Sequence, residues 1–252
     1  RADATGIGTG TVTFGAGIKA KAPAGLEILY SPTSYDAPVT YAGNAETGTT
    51  ATAYMLVNNL TQLQSIGGSA ARLGRTYALG RDIDAAASAT MNSGAGFAPL
   101  GTSASNSFAG VFDGRGQIIT GLTINRPGEN YVGLFGYTSN ATIRNIGLVG
   151  GALTGGSVVG GLVGQRSYAA TDNITDAYWD TASTGITDVN KGIGSNGSTS
   201  GTINIKPVGG GNPNPYASGT YTGFDFTSGG AWHIFDGDTR PLLRSSLEGF
   251  VS

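Results

Sequence analysis

Ile119-Thr-Gly-Leu-Thr-Ile124, Ile143-Arg-Asn-Ile-Gly-Leu148 and Ile174-Thr-Asp-Ala-Tyr-Trp179 carry one pattern three times. An apolar residue is followed by two others, then by an apolar residue, a spacer and a further apolar residue. The second copy begins 24 residues after the first, and the third 31 residues after the second. The two intervening residues are Thr-Gly, Arg-Asn and Thr-Asp, so each pair ends in a residue that turns readily. A second motif interleaves with the first: Gly133-Leu-Phe-Gly136 recurs as Gly161-Leu-Val-Gly164, offset by 28. A period of roughly 20–30 residues made of short strands and turns specifies a solenoid. In a β-solenoid, equivalent positions of successive coils stack at strand spacing, about 4.8 Å. The pattern therefore predicts Ile119 over Ile143 over Ile174 as one internal ladder, and Leu122 over Ile146 over Ala177 as another. Ile124, Leu134, Leu148 and Leu162 also point inward in this register. Insertions that loop out at corners account for the uneven spacing.

Outward from the repeat, the chain divides into three parts. Residues 57–185 form the repeat-bearing β-helix core. Within it, Val57, Leu60, Leu63 and Ile66 give residues 57–73 a short helical period. Residues 1–56 hold strand-like runs such as Leu26-Glu-Ile-Leu-Tyr30, separated by Pro- and Gly-containing turns. Residues 186–252 form a loop-rich extension. Residues 186–217 are rich in Gly, Ser and Asn and read as long loops, while 218–252 return to an aromatic composition. The fold class is all-β, a parallel β-solenoid with loop-rich additions at both ends.

Composition narrows the function classes. Among 252 residues, 14 Lys+Arg face 16 Asp+Glu, and a net charge of −2 gives no purchase on nucleic acid or an anionic membrane. The 44 glycines punctuate apolar runs, which favours a folded all-β chain over low complexity. No cysteine is present, so no disulfide scaffold or thiolate metal site exists. Apolar runs fall well short of the roughly 20 residues of a membrane helix. No charged and apolar leader opens the chain. If the protein is secreted, Arg1 is not its natural start and the chain is a piece of something longer.

The Gly-Leu-apolar-Gly units resemble the GLUG-motif family of secreted bacterial passengers. Phe97-Ala-Pro-Leu-Gly101, Phe108-Ala-Gly-Val-Phe-Asp-Gly-Arg-Gly116 and Ile119-Thr-Gly-Leu-Thr-Ile124 are similar to the segment that precedes such repeats in filamentous-haemagglutinin-like exoproteins. Tyr54-Met-Leu-Val-Asn58, Tyr77-Ala-Leu-Gly-Arg-Asp-Ile-Asp84 and Tyr178-Trp-Asp-Thr181 extend the resemblance over most of residues 50–185. It implies a right-handed parallel β-helix, export by a two-partner or related route with an outer-membrane secretion partner for the parent protein, and an adhesive role at the bacterial cell surface. Partners would be glycans or proteins of a host or neighbouring cell. Only two clear Gly-Leu-x-Gly units are present, so the helix is a short one.

Candidate chemistry is sparse. Asp82 and Asp84 flank Ile83 and share one face of a strand. Such a pair can serve a glycosidase or a Ca²⁺ ion, but no third partner lies in sequence reach, and a solvated strand edge is the simpler account. Asp113-Gly114 and Asp236-Gly-Asp238 read as tight turns. His233, the one histidine, sits among Trp232, Ile234 and Phe235 and reads as structural. Trp179 falls where Ile124 and Leu148 point inward, so it fills the core. Tyr178 and Asp180 then point outward by alternation, and Tyr178 is the better exposed aromatic for ligand contact. Asn59, Asn140, Asn173 and Asn196 stand in Asn-x-Ser/Thr sequons. Tyr178, Asp180, Asp82 and Asp84 are thus the candidate contacts, with no catalytic residue, metal or cofactor assigned. Two rival functions are a capture module for a host protein or haem, built on the 186–217 loops, and a β-helix carbohydrate-active enzyme. A lyase groove needs clustered charge, and residues 117–171 offer little.

Overall fold

Glycine and asparagine corners break this chain into strands of two to eight residues, and from Leu26 to Val208 the strands pair side by side in the same direction. The computed structural model describes residues 10–22, 25–209 and 214–247. In chain order the early strands are β1 (Leu26–Tyr30), β2 (Ala51–Val57), β3 (Thr76–Leu79), β4 (Ile83–Asp84), β5 (Val111–Asp113), β6 (Ile118–Thr120) and β7 (Thr123–Asn125). There follow β8 (Phe135–Thr138), β9 (Thr142–Val149), β10 (Ala152–Thr154), β11 (Val163–Arg166), β12 (Asn173–Asp180), β13 (Ile193–Asn196) and β14 (Ile203–Val208). One sheet runs β1-β2-β3-β5-β9-β12-β14, with β4 and β6 continuing it beside β9. β7 pairs with β10, and β11 lies between β8 and β13. All of these pairings are parallel. The fold is all-β, with parallel sheets and few helices.

The main sheet starts at Leu26 and ends at Val208, so it crosses both boundaries drawn at 56/57 and 185/186. The helical period at 57–73 resolves into α1 (Leu60–Ser65), capped by the Asn59 side chain accepting from the Gln62 N–H, and α2 (Ala70–Leu73), capped likewise by Ser69. Residues 186–217 are not simply long loops: β13 and β14 lie within them, held by pairing to β11 and β12. Part of that expected loop, residues 210–213, lies outside the described residues.

The expected inward residues are all buried, Ile119, Leu122, Ile124, Leu134, Ile143, Ile146, Leu148, Leu162 and Ile174 each at 0% exposure. Their stacking is partly different. Ile143 does pair with Ile174, Ile146 with Ala177 and Leu148 with Trp179. Phe135 pairs with Val163, in keeping with the 28-residue offset of the Gly-Leu-x-Gly units. But Ile119 stacks on Leu148, not on Ile143, whose neighbour below is Phe112, and Ile124 stacks on Leu153. The reason is local. Each pattern copy spans a corner whose third residue is left-handed: Gly121 (φ 71°), Asn145 (φ 58°) and Asp176 (φ 51°). The Gly121 corner is a different corner of the repeat, and the neighbour of Gly121 in the next layer is Gly150 (φ 74°). Similar corners have similar sequences, so matching by pattern joins one corner to another.

Among the described residues three apolar clusters form: a small one of Tyr54, Leu56 and Ala78 on β2 and β3, and two larger cores. The larger lies between the sheets and contains the ladders above together with Trp179. The smaller lies on the opposite face of the main sheet, where Tyr178 and Val208 meet Tyr221, Phe224, Trp232 and Leu243 of the C-terminal segment. That segment carries an antiparallel pair, β15 (Trp232–His233) and β16 (Leu242–Leu243), followed by α3 (Arg244–Leu247).

Candidate functional site

The C-terminal segment folds back over the outer face of the main sheet and leaves a cleft of about 280 Å³ at the contact. Its sheet side comprises Asp82, the Gly116–Ile118 stretch and Tyr178, and its other side Tyr216, Arg240 and Leu247. Glycine makes the seating possible. A Cβ on Gly116 would lie 2.9 Å from the Leu243 backbone nitrogen, and one on Gly147 would lie 2.3 Å from the Tyr178 ring. The bare backbone at these points lets β16 and the tyrosine ring pack directly onto the sheet.

Arg240 organises the polar side of the cleft. Its guanidinium carbon lies 5.5 Å from the Tyr216 ring centroid and 5.9 Å from that of Tyr178, within cation–π range. Its Nη2 is 3.8 Å from Asp180 Oδ2, a loose ion pair. Arg240 Nη1 and the Tyr178 hydroxyl are both buried and have no hydrogen-bond partner in the protein. Burial pushes the Tyr178 phenol well above its ordinary range, the nearby Tyr221 adding to the shift. Buried donors of this kind are usually satisfied, so two in one cleft mark it as a place where something polar fits.

The structure brings three of the four sequence candidates to this place. Asp82 and Tyr178 line the cleft, and Asp180 pairs with its arginine. Asp84 does not join them: its Oδ1 accepts from the Ala86 N–H at 2.9 Å. Asp82 Oδ1 accepts from the Ile118 N–H at 2.9 Å, and its carboxylate is exposed. The exposure expected of Tyr178 is corrected: only 2% of it is accessible. Alternation does turn it away from Trp179, but the C-terminal segment covers that face. The exposed aromatic of the cleft is instead Tyr216, at 40%. Nothing local marked Tyr216 or Arg240, which reach the cleft from a segment far along the chain.

Other expectations resolve structurally. His233 is half-buried on β15, its ring 4.5 Å from that of Phe235. Asp236 accepts from the Ser218 N–H at 2.7 Å. Asp113 caps a turn by accepting from the Arg115 N–H and also pairs with Arg144 at 2.9 Å while only 3% exposed. The sequon asparagines are exposed, and each side-chain oxygen accepts a hydrogen bond from a neighbouring segment or turn. Among the described residues, no group of three or more His, Asp or Glu side chains is placed to hold a metal ion. None of their helices is long and apolar enough to cross a membrane.

A second polar cluster was missed in the sequence. Asp172, fully buried, accepts from the Thr138 hydroxyl (2.8 Å), the Ala141 N–H (2.7 Å) and Arg166 Nε (3.2 Å). Arg166, 1% exposed, also donates to Asn196 Oδ1 (2.6 Å) and to the carbonyls of Ser198 and Ser200. Through Asp172 and Arg166 together the cluster links Thr138, Arg166 and Asn196, which stand side by side on β8, β11 and β13, so it ties neighbouring strands together. A lone arginine in a stretch nearly free of charge was the available signal.

The chain is 37% identical to Halomucin of Haloquadratum walsbyi over 138 residues, which are 54% of this chain and 2% of that protein. It is 39% identical over 106 residues to a Gly-rich membrane protein of Evansella cellulosilytica, covering 40% of this chain and 12% of the other. The chain thus spans a small part of the length of the curated relatives it matches. No family model matches it, and no solved structure matches it significantly.

Proposed function

We propose that this chain is a structural and adhesive segment of a large exported surface protein, and that its parallel sheets wind into one right-handed β-helix of the kind that the resemblance to GLUG-motif passengers implies. The observation that carries this reading is the parallel ladder from Leu26 to Val208, apolar within, in a chain of which only 12% is charged. Such a stack is rigid and tolerates variation at its corners, which suits a scaffold that presents surface to a partner. Similarity to stretches that are 2% and 12% of longer proteins supports reading it as one part of an extended architecture. The role is non-enzymatic: Asp82 and Asp84 are each engaged by a different backbone amide rather than aimed at one point.

Antibodies raised against the chain should label intact cells that express the parent protein, and external protease should remove the label. Labelling that appears only after lysis would overturn the extracellular assignment. A crystal structure with antiparallel hairpins in place of the parallel stack would overturn the β-helix.

A further inference from the structure

We propose that the cleft between the main sheet and the C-terminal segment is a binding site for a single neutral sugar ring in the pyranose form. This goes beyond the surface-display reading and does not depend on it, because it concerns the isolated chain.

The cleft offers the three things a sugar ring needs. The exposed Tyr216 ring supplies a flat face for the C–H side of a pyranose. Arg240 Nη1 and the Tyr178 hydroxyl supply buried hydrogen-bonding groups that the protein leaves unpartnered. Asp82, with Oδ1 already engaged by Ile118, keeps its second carboxylate oxygen for a ring hydroxyl. Desolvated groups like Arg240 Nη1 and the Tyr178 hydroxyl gain most from a ligand that satisfies them. The remaining wall, Ile118, Pro241 and the leucines of β16, is apolar. A volume of about 280 Å³ falls just under the roughly 300–1,000 Å³ of clefts that enclose drug-sized molecules, so it suits one ring rather than a chain of them.

Charge decides between neutral and acidic sugars. One cation, Arg240, faces two carboxylates, Asp180 and Asp82. A ligand carboxylate would enter a region already negative by one charge, whereas hydroxyls use both signs. The arginine is also held between two aromatic faces, which fixes its plane and keeps Nη1 in place.

The test titrates the full 252-residue chain with methyl glycosides of glucose, galactose and mannose, with glucuronate as the acidic arm and benzoate as the apolar anion arm. Binding is read by calorimetry and by saturation-transfer NMR. At least one neutral glycoside is expected to bind, more tightly than glucuronate or benzoate. Tyr216→Ala should weaken it by about tenfold with an unchanged circular dichroism spectrum and melting temperature, because Tyr216 is partly exposed and outside both cores. Asp82→Asn is a second variant that should fold, and it should weaken binding severalfold. No binding of any neutral glycoside, tighter binding of glucuronate or benzoate, or binding untouched by both substitutions would each overturn the assignment. None of these results bears on where the parent protein is displayed, so the two readings fail separately.

Discussion

Leu134 and Leu162 stand between glycines, the composition of a surface loop, yet both are fully buried in the larger core. Truncating a packed leucine leaves a cavity as well as losing transfer energy. Leu134→Ala and Leu162→Ala should each cost about 2–5 kcal/mol by chemical denaturation. Thr123→Ala, half-exposed between Leu122 and Ile124, should stay within about 0.5 kcal/mol. Equal costs at Leu134 and Thr123 would contradict the burial pattern. The Arg166–Asp172 pair makes a sharper case, because neither charge reaches water. Removing one partner strands the other, and Asp172→Ala should cost about 3–5 kcal/mol. Replacing both residues with apolar ones should cost less than that single change, since a buried pair contributes little net stability. A double-mutant cycle followed by denaturation measures the difference.

At the scale of elements, close backbone approach is the recurring constraint. Gly151 has φ 86°, and a Cβ there would lie 2.0 Å from the Leu122 carbonyl oxygen. That carbonyl accepts from the Ala152 N–H, the bond that aligns β10 with β7. Gly151→Ala should therefore break this pairing both by strain and by collision. Hydrogen exchange should speed up at Ala152, whose N–H makes that bond, while β11 and β13 keep their protection. A variant whose exchange pattern matches the wild type would show that the corner can give. Gly133 is similar, since a Cβ would come within 2.9 Å of both the Gly164 nitrogen and the Leu162 oxygen. The glycines of the two Gly-Leu-x-Gly units thus meet across neighbouring layers, which explains their fixed spacing better than flexibility does.

Across the whole molecule, alkali should be the fold's weak point. Tyr35 and Tyr77 are buried and donate their hydroxyl protons to the carbonyls of Leu56 and Arg72. Burial raises both, and Tyr178, well above the ordinary phenol range, and pushes Tyr221 up to about 12. The folded state therefore favours the neutral phenol. Its contribution is complete below about pH 10, the unfolded tyrosine value, and is lost as pH rises from there through the folded values. They form two pairs in ring contact, Tyr35 with Tyr77 and Tyr178 with Tyr221, and the pairs lie in separate parts of the structure, so their losses accumulate. Phenolate absorbance of the buried tyrosines should appear together with loss of the sheet signal in circular dichroism, at a pH above 10. Stepwise ionisation with the sheet signal intact would show that these rings are not held as described.

The residues themselves determined strand class, parallel stacking and which side chains are inward. Apolar periodicity and turn chemistry are local properties, and every chain position carries its own share of them. The registry of one layer on another was legible where two pattern copies occupy the same corner, as at Ile143 and Ile174. It failed at Ile119, because the Gly121 and Asn145 corners obey the same local rule. The cleft was half legible. Asp82, Tyr178 and Asp180 carry the right chemistry in order along the sheet, and alternation turns Tyr178 off the inner core. That this face is covered, that Tyr216 and Arg240 complete it, and that the Tyr178 hydroxyl is desolvated depend on where the C-terminal segment comes to rest. That contact joins residues more than 60 positions apart in the chain, as Arg240 over Tyr178 does. No local preference encodes it; it follows from apolar surface on the segment finding apolar surface on the sheet.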